Sequence, residues 1–165
     1  MVRELTVEIK ATPEQVYTFL SDYAGHFKEV SPDHIERGAV IKSIRMKDGQ
    51  FVGGRIYFYF KQVSPVTGRV QKVRGRLLVV EPNRYIKYKF LFPVSLILPR
   101  IENTLEARDG LTVYKTYLHF SKPVSWLVSR SAKVREKLEA VVSHIQEEMD
   151  NTKRILEEQT TVAPS

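Results

Sequence analysis

The stretch from Ser129 to Gln159 constrains this chain more than any other feature: its apolar residues fall at Val134, Leu138, Val141, Val142, Ile145, Met149 and Leu156. Steps of three and four place them on one stripe of a single long helix. A lone helix cannot bury such a stripe. The six strand-like runs between Gly38 and Ser121 supply a partner, an antiparallel sheet curved around the helix. If the sheet holds the helix at its edges and stands off in the middle, an apolar cavity lies between them. Function is expected in that cavity, because no catalytic motif stands out elsewhere.

The remaining elements follow from local signals. Leu5, Val7 and Ile9 alternate with Thr6, Glu8 and Lys10, the period of a strand with one buried face. Thr12-Pro13-Glu14-Gln15 combines an N-cap hydroxyl, a proline at the first helical position and a glutamine three residues after the cap. A helix from Pro13 to about Ser21 is predicted, burying Val16, Phe19 and Leu20, and a second short one between Tyr23 and Val30. Strands then run over Val40–Met46, Arg55–Val63, the segment around Val73, Leu77 and Val79, the segment around Ile86, Tyr88, Phe90 and Phe92, Ile101–Ala107 and Leu111–Ser121. Asp48-Gly49 and Asp109-Gly110 mark tight turns. Gly75, on the inner face, predicts a bend or bulge. The fold class is α+β: a seven-stranded curved antiparallel sheet, two short helices after strand 1, and a long C-terminal helix.

Composition narrows the function classes. At 165 residues the chain is expected to form one domain, 1–159, with 160–165 as a disordered tail. The absence of cysteine removes disulfides, thiol catalysis and cysteine-ligated metals, and it favours a reducing cytoplasmic setting. No signal peptide is read at the start. The apolar run from Phe90 to Leu98 is broken by Pro93 and falls short of the roughly 20 residues of a membrane span. It reads as a core strand entering a loop, with a cavity lid or membrane-touching loop as the alternative. The formal charge of +7 comes largely from lysines and arginines in the strand region, a solvated outer face. Specific nucleic-acid binding is not expected, whereas transient contact with an anionic membrane surface stays open, as does the choice between monomer and homodimer.

The order of elements, with Ala11-Thr12-Pro13-Glu14-Gln15-Val16-Tyr17, Val79-Val80-Glu81-Pro82-Asn83-Arg84 and the late long helix, resembles the helix-grip or START-like superfamily. That group includes polyketide cyclase/dehydrase relatives and lipid-transfer proteins. The resemblance implies a cavity for a small hydrophobic ligand: a lipid, an isoprenoid or quinone, or an aromatic polyketide. A narrower likeness is carried by Gly25-His26-Phe27-Lys28-Glu29-Val30-Ser31-Pro32-Asp33-His34 and by His144-Ile145-Gln146-Glu147-Glu148-Met149-Asp150-Asn151. These resemble the branch containing the zinc-dependent carbon–carbon hydrolase of acylated phloroglucinols, whose metal is held by two histidines and two glutamates.

Ligand-binding candidates are Tyr57, Phe58, Tyr59, Phe60, Tyr88, Phe90, Tyr114 and Phe120 in the sheet and Val141 and Ile145 on the helix, large surfaces with hydroxyls that can orient a ligand. Both faces of the Arg55–Val63 strand are aromatic, so alternation does not choose between them. No catalytic residue is assigned. His144 and Glu148, four apart, share one side of the last helix. With His34, or His26, in place of the ligand missing from Val30-Ser31-Pro32, they form the metal candidate, and the resemblance names zinc. The alternative is a surface pair four apart, with His34 capping a turn. Lys61, where the resemblance implies an acidic ligand, would repel a cation. His119, opposite Leu118 and Phe120, is expected to be solvated or bonded to a neighbouring strand. Metal-dependent hydrolysis or cyclisation of an aromatic ketone is the second functional reading.

Overall fold

The structure, a computed structural model, describes residues 1–21 and 26–162, except for the side chains of Phe27 and residues 160–162. The alternating start forms β1 (Val2–Ile9), which leads into α1 (Pro13–Ser21) and α2 (Phe27–Val30). The predicted α1 bounds hold. Its cap closes reciprocally: the Gln15 N–H donates to Thr12 Oγ1 at 3.2 Å and the Thr12 N–H donates to Gln15 Oε1 at 2.8 Å. The expected start of α2 at Tyr23 lies outside the described residues.

Six further strands follow: β2 (His34–Lys47), β3 (Gln50–Val63), β4 (Val70–Glu81), β5 (Tyr85–Phe90), β6 (Arg100–Arg108) and β7 (Leu111–His119). They pair antiparallel as a meander, and β1 closes onto β7, giving the order β1-β7-β6-β5-β4-β3-β2. Both two-residue hairpins turn as the sequence indicates. Asp48 and Gly49, and Asp109 and Gly110, all take positive φ, the geometry that matches the twist of the flanking strands.

The last helix differs from its prediction at the start. Two helices occur, α3 (Lys122–Arg130) and α4 (Ala132–Val162), separated by Ser131 in extended backbone. Ser131 ends one and opens the other. Its N–H donates to the Leu127 carbonyl at 2.9 Å, while its Oγ accepts from the Val134 N–H at 3.4 Å. α4 takes in the first three residues of the expected tail, and 163–165 lie outside the described residues.

The stripe of α4 buries Leu138, Met149, Ile155 and Leu156 against the concave face of the sheet. Two apolar clusters result. One joins β1, α1 and the distal half of α4; the other joins Phe58, Val73, Phe90, Leu98, Leu118, Phe120 and Leu138. The helix is tied to the N-terminal part of the chain, where the Lys10 N–H donates to Glu157 at 2.9 Å and the Asn151 amide donates to the Val30 carbonyl at 2.9 Å.

Curvature arises at irregularities in the sheet. Register shifts fall between His34 and Glu36, Ile41 and Ser43, Arg45 and Met46 in β2, and between Leu77 and Val79 in β4. The last overturns the expectation that Val79 lines the inner face. With Leu78 as the extra residue, Val79 is exposed and Val80 is buried in its place. Gly75 is not the bulge. It serves close approach: the Phe58 ring lies across it, and a Cβ at this position would stand 2.1 Å from Phe58 Cζ. Gly75→Ala is therefore expected to lower stability by about 1–3 kcal/mol through overpacking, and Phe58→Leu should recover part of that loss. Urea denaturation of the three variants measures both.

Candidate functional site

Where α4 stands off the sheet there is a cavity of about 200 Å³. Its aromatic wall is Phe19 from α1 and Phe58, Phe60, Tyr88, Phe90 and Tyr114 from the sheet. Phe58 sits at the centre. Its ring is perpendicular to Tyr88 at 5.7 Å and to Phe90 at 6.2 Å, and near-parallel to Phe60 at 6.3 Å. Ile145 and Met149 close the helix side.

Of the predicted ligand residues, Phe58, Phe60, Tyr88, Phe90, Tyr114 and Ile145 line the cavity, whereas Tyr57, Tyr59, Phe120 and Val141 do not. Alternation on β3 explains the division. Tyr57 and Tyr59 occupy the outer face, where Lys42 Nζ stands 5.5 Å from the Tyr57 ring centre and Lys72 Nζ 4.0 Å from that of Tyr59. Phe120 lies past the end of β7 and packs in the second apolar cluster, and Val141 is half-buried on the flank of the α4 stripe.

One end of the cavity is polar. His34 Nε2 lies 2.8 Å from Glu148 Oε1, and His144 Nε2 lies 3.0 Å from the same oxygen. The imidazoles meet edge to face, 6.0 Å apart at 82°. His34 reaches this point because of the bulge at Ile35. It pairs with Gln62, whereas Arg37, three residues on, pairs with Phe60, and both His34 and Arg37 line the cavity. Glu36 and Lys61, between them, bond each other at 2.7 Å. The expected repulsion of a cation by Lys61 is thereby removed. His26, the other substitute considered, stacks on Phe19 at 4.3 Å instead. His119 bonds its neighbours as expected, with Arg100 2.9 Å from its Nδ1.

Sequence reasoning missed the polar residues of the inner strands. Asn103 and Thr116 face each other across β6 and β7, the hydroxyl donating to the amide oxygen at 3.0 Å, and both line the cavity. The signal was available. Each is a polar residue at an inward step of an apolar alternation, Asn103 between Ile101 and Leu105, Thr116 between Tyr114 and Leu118.

No protein-family model and no curated protein sequence matches the chain. Solved structures do. The Zhui aromatase/cyclase of a Streptomyces species superposes with a TM-score of 0.70 at 20% identity, over 97% of this chain and 95% of that one. The di-domain aromatase/cyclase StfQ of the steffimycin pathway gives 0.68 at 14% identity; 98% of this chain is covered, and it spans 52% of that protein. A START superfamily protein from Mycobacterium smegmatis gives 0.62 at 14% identity, over 94% of this chain and 98% of that one.

The chain has the START-like helix-grip fold.

In this helix-grip molecule the residues at the polar end could hold a metal. The ligand atoms of His34, His144 and Glu148 all lie within 4.8 Å of one another. His144 Nε2 is buried with Glu148 Oε1 3.0 Å away and no well-formed hydrogen bond to it. Asp33 Oδ2 stands 3.8 Å from His144 Nδ1, too far for a hydrogen bond but close enough to favour positive charge on the ring. Two imidazole nitrogens and a carboxylate oxygen suit zinc, so the residues fit the group. No fourth acidic ligand is contributed by β3, where Phe60 and Gln62 take the inward positions.

Electrostatically the three residues form one charged unit. Burial raises the Glu148 carboxyl, but the contacts with His144 and His34 outweigh it and bring the group down from 4.5 to about 2. The His144 imidazole is raised above 6.5 by Glu148, against the burial that lowers it. The lowered carboxylate stabilises the fold above 4.5 and loses this contribution as pH falls toward about 2. The raised imidazole stabilises it below 6.5 and loses its part as pH rises through the folded value. With a chelator present, Glu148→Gln should therefore cost most between pH 4.5 and 6.5, on the order of 2 kcal/mol, and less on either side. Urea melts across pH measure this, and a cost independent of pH would contradict it.

Proposed function

We propose that this chain binds a small hydrophobic molecule between the sheet and α4, with residues 1–159 working as one ligand-binding domain in the cytoplasm. The observation that carries the reading is the pairing of an aromatic wall with a polar end in one cavity. Rings such as Phe58, Phe90 and Tyr114 favour a flat apolar body, and Arg37, Asn103, Thr116 and the Glu148 cluster favour an oxygen-bearing end. A lipid, an isoprenoid or quinone, and an aromatic polyketide-like compound all have this character. Size separates them. About 200 Å³ lies below the roughly 300–1,000 Å³ of typical small-molecule sites, which favours a compact aromatic over a whole lipid.

The test uses native mass spectrometry of freshly isolated protein, then titration with a naphthol probe. An Ile145→Phe variant, which narrows the cavity, is expected to weaken the probe at least tenfold, and Tyr57→Ala, on the outer face, to leave it within twofold. Equal effects of the two variants would reject the cavity as the site.

A second reading, favoured by the three converging donors, is a zinc-dependent hydrolase or cyclase acting on an aromatic ketone. His34, His144 and Glu148 would hold the ion, which would supply Lewis-acid polarisation of a carbonyl. The aromatic wall would orient the ring system, and the apolar lining would exclude water. Elemental analysis of untagged protein is expected to find one zinc per chain, lost in the His144→Ala/Glu148→Ala variant. Substoichiometric metal unchanged by that variant would leave the binding reading alone.

A further inference from the structure

The chain leaves the cavity wall at Phe90 and, two residues later, puts Phe92 into solvent with 74% of its surface exposed. A 3-10 turn at Val94–Leu96 follows, with Leu96 59% and Ile97 46% exposed, before Leu98 returns to the core. This apolar tip abuts α3, because Ser121 donates through its N–H to the Ile97 carbonyl at 3.0 Å and through its Oγ to the Leu96 carbonyl. From there α3 turns Val124 and Val128 toward the second cluster and leaves Trp126 and Leu127 outside. Trp126 stands about 7 Å along the helix from Ser121, by the helical rise of roughly 1.5 Å per residue.

Scattered exposed apolar residues need no explanation, but six large ones gathered on one loop and one helix, Leu91 among them, do. The surrounding charge identifies what covers them. Neither 89–100 nor 121–135 contains Asp or Glu, while Lys89, Lys122, Arg130, Lys133 and Arg135 stand there. The Arg130 guanidinium lies 4.3 Å over the Trp126 ring. Aromatic and aliphatic anchors ringed by cations are the composition that seats at an anionic headgroup layer. A second copy on the same patch would set this cationic rim against itself.

We infer that the loop around Phe92 and Leu96, together with α3, is a docking surface for an anionic lipid bilayer. The inference rests on the surface alone and does not require the cavity to hold a ligand. Among the described residues no helix is long and apolar enough to cross a membrane, so the contact is peripheral.

Trp126 is the single tryptophan of the chain, so its fluorescence reports the patch directly. The full chain is mixed with phosphatidylglycerol/phosphatidylcholine vesicles and with phosphatidylcholine vesicles alone. Expected are a blue shift with the anionic vesicles, quenching by lipids labelled at shallow acyl positions, and weakening as salt rises. Phe92→Ser/Leu96→Ser should lower vesicle affinity at least tenfold, and Lys122→Glu/Lys133→Glu should do so without touching an apolar residue. Thermal melts and naphthol binding should be unchanged in both variants, which separates failure of docking from failure of the cavity reading. Absence of a shift, a shift indifferent to both variants, or a concentration-dependent shift without vesicles would overturn the proposal, the last by assigning the patch to self-association.

Discussion

The cavity depends on a mismatch of curvature between α4 and the sheet. A straight helix touches a concave surface along its flanks unless side chains fill the gap between them. Here the filling is incomplete: Leu138 packs at one end and Ile155 and Leu156 at the other, while Ile145, Glu148 and Met149 between them border open space. The irregularities of β2 and β4 produce the concavity. Gly75 lets the Phe58 ring lie flat on the sheet instead of standing into the gap. Without those features the sheet would meet the stripe directly and leave nothing to occupy.

The chemistry of the space is sorted by element. Strands β3, β5 and β7 contribute rings; α4 contributes the carboxylate; and β2, through its bulge, contributes His34 and Arg37. Glu148 is the only acidic side chain among the described cavity-lining residues, and two imidazoles hold it ionised. A half-buried carboxylate held in that way can receive a cation or accept from a ligand hydroxyl. The same geometry therefore supports both functional readings, and occupancy by metal is what separates them.

Much of the fold was legible because its signals are local or periodic. The capping box of α1, the Asp-Gly turns and the stripe of α4 each lie within a few residues or repeat along one element. Two errors in the strands share one cause, the displacement of register by an extra residue. Alternation gave Val79 to the inner face because Leu78 was counted in the pleat, and it started β2 only at Val40 because the extra residue at Ile35 breaks the alternation of its first residues. The metal candidates were legible on α4 from a spacing of four, and their union with His34 rests on a contact 114 residues apart. Asn103 and Thr116 are each a single polar residue between apolar neighbours on an inner face, and what joins them into one feature is the pairing of β6 with β7.

The bulge at Ile35 has a consequence for how such a site can change over time. His34 and Arg37 are three apart and yet share a face, so they belong to opposite phases of the strand's pleat, joined by one surplus residue. Removing that residue would return the histidine or the arginine to solvent without altering either. Insertion or deletion of a single codon, rather than substitution, is thus the shortest route by which a descendant could exchange one charged pocket for another.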